Sequence, residues 1–289
     1  VRPIDLYLRA LAECRTENDF NRLHISIETF SPPAEFAAIA DHSEREPLPF
    51  QAMRWIARTR AMLAASGLPI QPYGKEELAP GVHLYRDHAS APEDRTLVVA
   101  FAGDAQRLML PITVFLQHCP ADRFAFLVLR DFSRCYYLRG IAPLAEDFPS
   151  LLAALGRLVD RSRFRRTIVL GTSGGGLAAV AAAIGLDAEV GIGICATSPT
   201  LEDPRMGPKG LTFAPFETLL ARRSRPLPEI RLTYGADCHR DAEKACALAD
   251  LVPARLQPVA GVAAHNLLVE LGRAGRLRSF LADLLESAT

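Results

Sequence analysis

From residue 96 onward, short β-branched and aliphatic runs punctuate the chain: Thr96–Phe101, Phe124–Leu129, Thr167–Leu170, Val190–Ile194, Ile230–Tyr234 and Arg255–Val259. Most are continuous apolar stretches too short for a helix, the pattern of strands buried on both faces. Segments with apolar residues at helical spacing separate them, and Val82–Arg86 is expected to add a strand at the sheet edge. Strands alternating with helices predict an α/β fold, a doubly wound, mostly parallel sheet covered on both sides. In such sheets the chemistry is expected in the crevice outside the carboxyl ends of the strands.

Residues 1–72 have a different pattern. Ile4–Leu11 and Ala52–Arg58 place apolar residues at helical spacing, and Ser31-Pro32-Pro33 and Pro47-Leu48-Pro49 break the periodicity between them. This region is expected as a helical N-terminal extension or lid. Pro69, Pro72, Gly74 and Pro80-Gly81 suggest a linker, which leaves residues 80–289 as the expected α/β domain.

Composition narrows the function classes. The 289 residues carry 33 Lys+Arg against 33 Asp+Glu, so no net field gathers nucleic acid or an anionic membrane. The six cysteines, at 14, 119, 135, 195, 238 and 246, form no C-x-x-C pair, so neither a zinc site nor a disulfide framework is indicated. No stretch reaches the ~18 to 20 uninterrupted apolar residues of a membrane helix, and the N-terminus, which begins at Val1, shows no signal core. A cytoplasmic protein without metal or cofactor is expected, with no nucleic-acid partner and no membrane span. Oligomeric state is left open.

The most informative stretch is Ile168–Ala182, which reads as strand, turn and helix with G-x-S-x-G at the turn, Gly171-Thr172-Ser173-Gly174-Gly175. A serine on such an elbow holds its hydroxyl above the sheet, and flanking glycines let strand and helix approach without Cβ clashes. The N–H of Gly174, at the positive end of the helix, is placed to stabilise an oxyanion. The plainer alternative is a glycine-rich turn with a serine N-cap. A phosphate loop does not fit because no lysine follows the glycines, and the G-x-G-x-x-G dinucleotide pattern is absent.

An elbow serine requires an acid and then a histidine later in the chain. Of the seven histidines only His239 and His265 follow Ser173, and His265 stands beyond the last expected strand, where the general base belongs. The acid is Asp237 or Asp241, both of which follow the Ile230–Tyr234 run. A second oxyanion donor is expected from the loop after Phe101, at Ala105 or its neighbour Asp104, with Gly103 allowing the close turn. At the same rim Arg130, Asp131 and Tyr137 are expected to shape a polar substrate pocket, although a buried salt bridge with packed aromatics would look the same in sequence.

Through the Gly171–Gly175 elbow, the Gly103 loop and His265, the chain resembles the α/β-hydrolase superfamily over roughly residues 80 to 289. More narrowly it is similar to bacterial members with an F-x-G loop, an R-D followed by Y-x-x-G, and D-x-x-x-A-x-x-L after the acid strand. The last match, Asp241 with Ala245 and Leu248, favours Asp241 as the acid. Some such relatives resemble capsule polysaccharide O-acetyltransferases. The resemblance implies a serine-dependent ester hydrolase acting on a small-molecule or glycan ester. One alternative is an O-acyltransferase that moves an acetyl group from an acyl donor to a sugar hydroxyl. The other is a catalytically silent domain that binds a partner. The N-terminal helical region has no counterpart in the resemblance.

Overall fold

All six runs read as parallel strands are strands, and with two more they build one eight-stranded sheet in the computed structural model, which describes residues 2–201, 206, 210–221 and 227–286. In chain order the strands are β1 (Gly74–Ala79), β2 (Val82–Arg86), β3 (Thr96–Phe101), β4 (Phe124–Leu129), β5 (Arg166–Thr172), β6 (Val190–Ile194), β7 (Glu229–Gly235) and β8 (Arg255–Val259). They lie in the order β1-β2-β4-β3-β5-β6-β7-β8. The β1–β2 and β2–β4 pairings are antiparallel and every other pairing is parallel.

Alternate residues of the central strands enter separate cores. Along β3, Leu97, Val99 and Phe101 face one core while Val98 and Ala100 face the other, and Leu127 and Phe126 divide in the same way on β4. Burial on both faces is the reason these strands read as unbroken apolar runs. The first core is closed by α6 (Phe148–Leu158), α7 (Gly174–Gly185), α8 (Ala214–Leu220) and α9 (His239–Ala249). The second is closed by α5 (Ile112–Gln117), α10 (Leu267–Arg273) and α11 (Leu277–Glu286). Among the described residues no helix is long and apolar enough to cross a membrane.

The N-terminal region forms α1 (Pro3–Glu13), α2 (Glu17–Phe30), α3 (Pro33–Arg45) and α4 (Phe50–Ala64). Thr16 and Asp19 make a reciprocal capping box that starts α2, and Pro33 sits in the first turn of α3, where its missing N–H costs nothing. Tyr7, Leu11, Phe36, Ile39, Trp55, Ile56 and Leu63 form a third core that continues onto Val114 of α5. The helices are therefore seated on the sheet domain. The hydroxyls of Tyr85 and Thr113 reinforce this by donating to the carbonyls of Phe30 (2.9 Å) and Ser31 (2.6 Å).

One segment departs from expectation. Gly74–Ala79, read within a linker, is the edge strand β1, and Val82–Arg86, expected at the edge, lies one position inward and is largely buried. Lys75, Glu76 and Glu77 give β1 the charged, exposed character that keeps a sheet edge from pairing with other chains, and that character hides it from an apolar-pattern reading.

His24, His83 and His118 are buried, and burial pushes each down to about 4 from the ordinary 6.5. Between those values the unfolded chain binds protons that the folded one refuses. Stability is therefore full above about pH 6.5 and falls as pH drops toward 4, by up to about 3 kcal/mol per histidine at about 1.4 kcal/mol per pKa unit. Urea midpoints measured from pH 7 to 4.5 are expected to decline steadily, and a flat profile would contradict the burial of these rings.

Candidate active site

Ser173 stands between the central strand β5 and α7, with φ +51° and ψ −119°. A non-glycine residue in this region carries strain of about 1–3 kcal/mol, which persists only where its surroundings over-determine it. Here they do. A Cβ on Gly171 would run into the Gly175 carbonyl, and one on Gly175 would run into the Phe101 carbonyl, so only glycine permits the strand–helix approach that makes the elbow. The Ser173 N–H donates to the Ile194 carbonyl at 2.8 Å, tying the turn to β6.

His265 lies in the loop between β8 and α10 and is partly exposed, and Asp241 lies in the first turn of α9 and is fully buried. His265 Nε2 is 2.8 Å from Ser173 Oγ, and its Nδ1 is 2.8 and 3.0 Å from the two Asp241 carboxylate oxygens. A carboxylate can only accept, so Nδ1 carries the proton and Nε2 is left to accept from the serine hydroxyl. Burial alone would raise the Asp241 carboxyl. The His265 imidazole, through its hydrogen bond and its charge, outweighs it, the neighbouring Cys238 and Cys195 thiols add to the effect, and Asp241 is held below the ordinary carboxylate value. Asp237 is exposed on the preceding turn, where its N–H donates to the Val262 carbonyl. Of the two acids left open by the sequence, the structure thus brings Asp241 to His265 and leaves Asp237 outside.

Sequence reasoning does not single out the two thiols. Cys195 follows β6 at the carboxyl edge of the sheet and Cys238 caps α9, so the only signal in the chain is their place after neighbouring strands. Cys195, Asp241 and His265 place ligand-type atoms within 4.8 Å of one another, the spacing of a metal site. The donor chemistry does not fit one. Both imidazole nitrogens already face Ser173 and Asp241, which leaves the ring no open ligand atom, and burial, and then Asp241, pushes the Cys195 thiol well up.

The loop after β3 reaches the same point. A Cβ on Gly103 would lie 3.3 Å from Ser173 Cβ, so its backbone lies against the elbow. Ala105 is exposed at the tip, Gly174 is buried at the start of α7, and the Asp104 carboxylate lies against Gly174, 2.6 Å from where a Cβ there would stand. Asp104 therefore presents a side chain, as well as its backbone, to the region read as an oxyanion site.

Arg130, Asp131 and Tyr137 are placed differently from the pocket role expected of them. All three are buried, and their polar atoms are engaged inside the protein. Arg130 contacts His83 Nδ1 (3.2 Å) and donates to the carbonyls of Thr29 (2.5 Å) and Gln106 (3.3 Å). Asp131 accepts from the N–H groups of Ser133, Cys135 and Tyr137, and the Tyr137 hydroxyl donates to the Ala102 and Leu129 carbonyls. They support the Ala102–Gln106 backbone from beneath. A polar cluster that buttresses a loop and one that lines a pocket have the same composition, so the sequence does not distinguish them.

No protein family's sequence profile matches the chain, and no curated protein matches it in sequence. Solved structures do. An esterase from Pyrobaculum calidifontis superposes with a TM-score of 0.51 at 15% identity, covering 79% of this chain and 88% of that one. Brefeldin A esterase, described as a bacterial homologue of human hormone-sensitive lipase, gives 0.46 at 16% identity over 78% of this chain and 84% of its own. A lidless α/β serine hydrolase from Xanthomonas campestris gives 0.47 at 13% identity over 77% and 98%. With the strand order and elbow described above, the first of these likenesses defines the class: the chain has the α/β-hydrolase fold.

Proposed function

We propose that the protein is a serine-dependent carboxylic-ester hydrolase working through an acyl-enzyme on Ser173. The observation that carries this reading is the continuous contact from Ser173 Oγ through His265 to the buried Asp241 carboxylate. Ser173 Oγ attacks the ester carbonyl while its proton passes to His265 Nε2, and Asp241 stabilises the resulting imidazolium. The carbonyl oxygen becomes anionic and is held by N–H groups of the Gly174 and Ala105 backbone. As the tetrahedral centre collapses, the C–O bond to the alcohol breaks and His265 returns the proton to the departing oxygen. Water, activated by the same imidazole, then releases the acid and frees Ser173. Every group these steps use belongs to the chain.

The substrate class that suits this site is a small-molecule or glycan ester, and its setting is cytoplasmic. Hydrolysis and transfer share the first half-reaction and differ in the acceptor of the acyl group, so the deciding experiment varies the acceptor. Purified protein is given 4-nitrophenyl acetate with and without a neutral oligosaccharide, and acetate and acetylated sugar are both quantified. Acetate release that the sugar leaves unchanged supports the hydrolase. Acetyl-sugar as the main product would make the protein an O-acyltransferase, and no turnover of any ester would overturn the reading.

A further inference from the structure

The N-terminal helices lie against the loop beside the elbow serine, and the contact runs through one buried carboxylate. Glu28, in the last turns of α2, is buried. One carboxylate oxygen accepts from Trp55 Nε1 (3.0 Å) and from Arg58 (2.6 Å), both on α4. The other faces Arg107 at 3.1 Å, and that same guanidinium nitrogen also donates to the Ile25 carbonyl at 3.4 Å. Glu28 thus joins two helices of the extension to a residue of the Gly103–Arg107 loop.

Arg107 is well placed to transmit that hold. Its backbone carbonyl accepts from the Gly103 N–H at 3.1 Å and from the Thr172 hydroxyl at 3.4 Å, and Gly103 is the residue packed on Ser173. The Gln106 N–H closes the turn onto the Gly103 carbonyl at 2.8 Å. The turn between them, Asp104 to Gln106, is partly or fully exposed, so these hydrogen bonds, more than apolar packing, fix where its N–H groups point. Arg130 makes a second link from the same end of α2, reaching both the Thr29 carbonyl and the Gln106 carbonyl.

We infer that the N-terminal helices position the oxyanion loop and that Glu28 is the positioning residue through which they do so, an inference that rests on the hydrolase reading above. The end of α2 that carries Glu28 is then part of the catalytic scaffold. Glu28 never touches substrate. It neutralises and orients Arg107, and the Arg107 backbone carries that orientation to the turn that donates to the anionic oxygen. The transition state gains from this more than the ground state does, because the donors must meet the oxygen at the moment it becomes charged.

The test compares Glu28→Gln, Arg107→Gln and the double variant on 4-nitrophenyl acetate, with urea unfolding measured alongside. Loss of a whole oxyanion donor costs about 10²–10³ in kcat, so a misplaced donor is expected to cost roughly tenfold or more with KM changed by less than about threefold. The double variant is expected to be no slower than the slower single one, because both changes break the same contact. Arg60→Ala removes an ion pair from α4 to Glu44 of α3 (2.8 Å), weakens the helical unit and touches neither Glu28 nor the loop, so it is expected to keep wild-type kcat. Folded Glu28→Gln with full kcat would overturn the inference, as would an equal loss in Arg60→Ala or losses that multiply in the double variant. If Glu28→Gln does not fold, Arg107→Gln against Arg60→Ala reads the same contact from the loop side. A wild-type protein that turns over no ester defeats the hydrolase reading, whereas an active wild type with an unaffected Glu28→Gln defeats only the positioning role.

Discussion

Ser173→Ala is expected to lower ester turnover by roughly 10³- to 10⁶-fold while leaving the fold intact. The hydroxyl supplies the only attacking atom in the proposed reaction, and what survives is water attack helped by the oxyanion donors. The change is conservative for the backbone, since alanine bears the same strain at φ +51° that serine does, and the side-chain hydrogen bond it removes is the one to His265. Initial rates on 4-nitrophenyl acetate and a urea melt check both halves. Wild-type rates in Ser173→Ala would mean that the ester is being cleaved elsewhere on the protein.

Asp241→Asn is expected to cost roughly 10⁴-fold in kcat, by analogy with the same change in other serine triads, and Asp237→Asn is expected to change little. An asparagine can turn its NH₂ toward His265 Nδ1, which then has to accept, and the proton moves to Nε2, where it blocks the serine from donating. Asp241 is fully buried beside His265, and its carboxylate receives the imidazole N–H at 2.8 Å. Asp237 lies exposed on the preceding turn. Steady-state kinetics of the two variants decide between them, and comparable losses in both would show that the acid is not selected by this geometry.

The parts of this arrangement differ in how far the sequence reveals them, for physical reasons. The central strands are legible because burial on both faces demands apolar residues throughout. The elbow is legible because its close approach tolerates only glycine at Gly171 and Gly175, which leaves a spacing in the chain. The charged edge strand β1 carries no apolar pattern and passes for a linker. The choice between Asp237 and Asp241 depends on which way α9 turns its first residues, and a few positions of sequence do not specify that. Thiols gathered beside a carboxylate have no characteristic spacing, so Cys195 and Cys238 emerge only in three dimensions. The Glu28–Arg107 contact joins segments separated by the whole of α3, α4 and the first three strands, and in sequence each residue reads as an ordinary surface charge. Arg130, Asp131 and Tyr137 show the reverse error: polar residues at the right rim read as pocket lining and are instead buried supports of a loop.

Covalent labelling with a fluorophosphonate followed by peptide mass mapping asks whether Ser173 is an activated nucleophile. A single adduct on the peptide containing Ser173 is predicted, formed slowly in Asp241→Asn and absent from Ser173→Ala. No adduct on folded wild-type protein would contradict an activated Ser173 and favour a catalytically silent α/β-hydrolase fold that serves to bind a partner, and one that persists in Ser173→Ala would place the reactive group elsewhere on the protein.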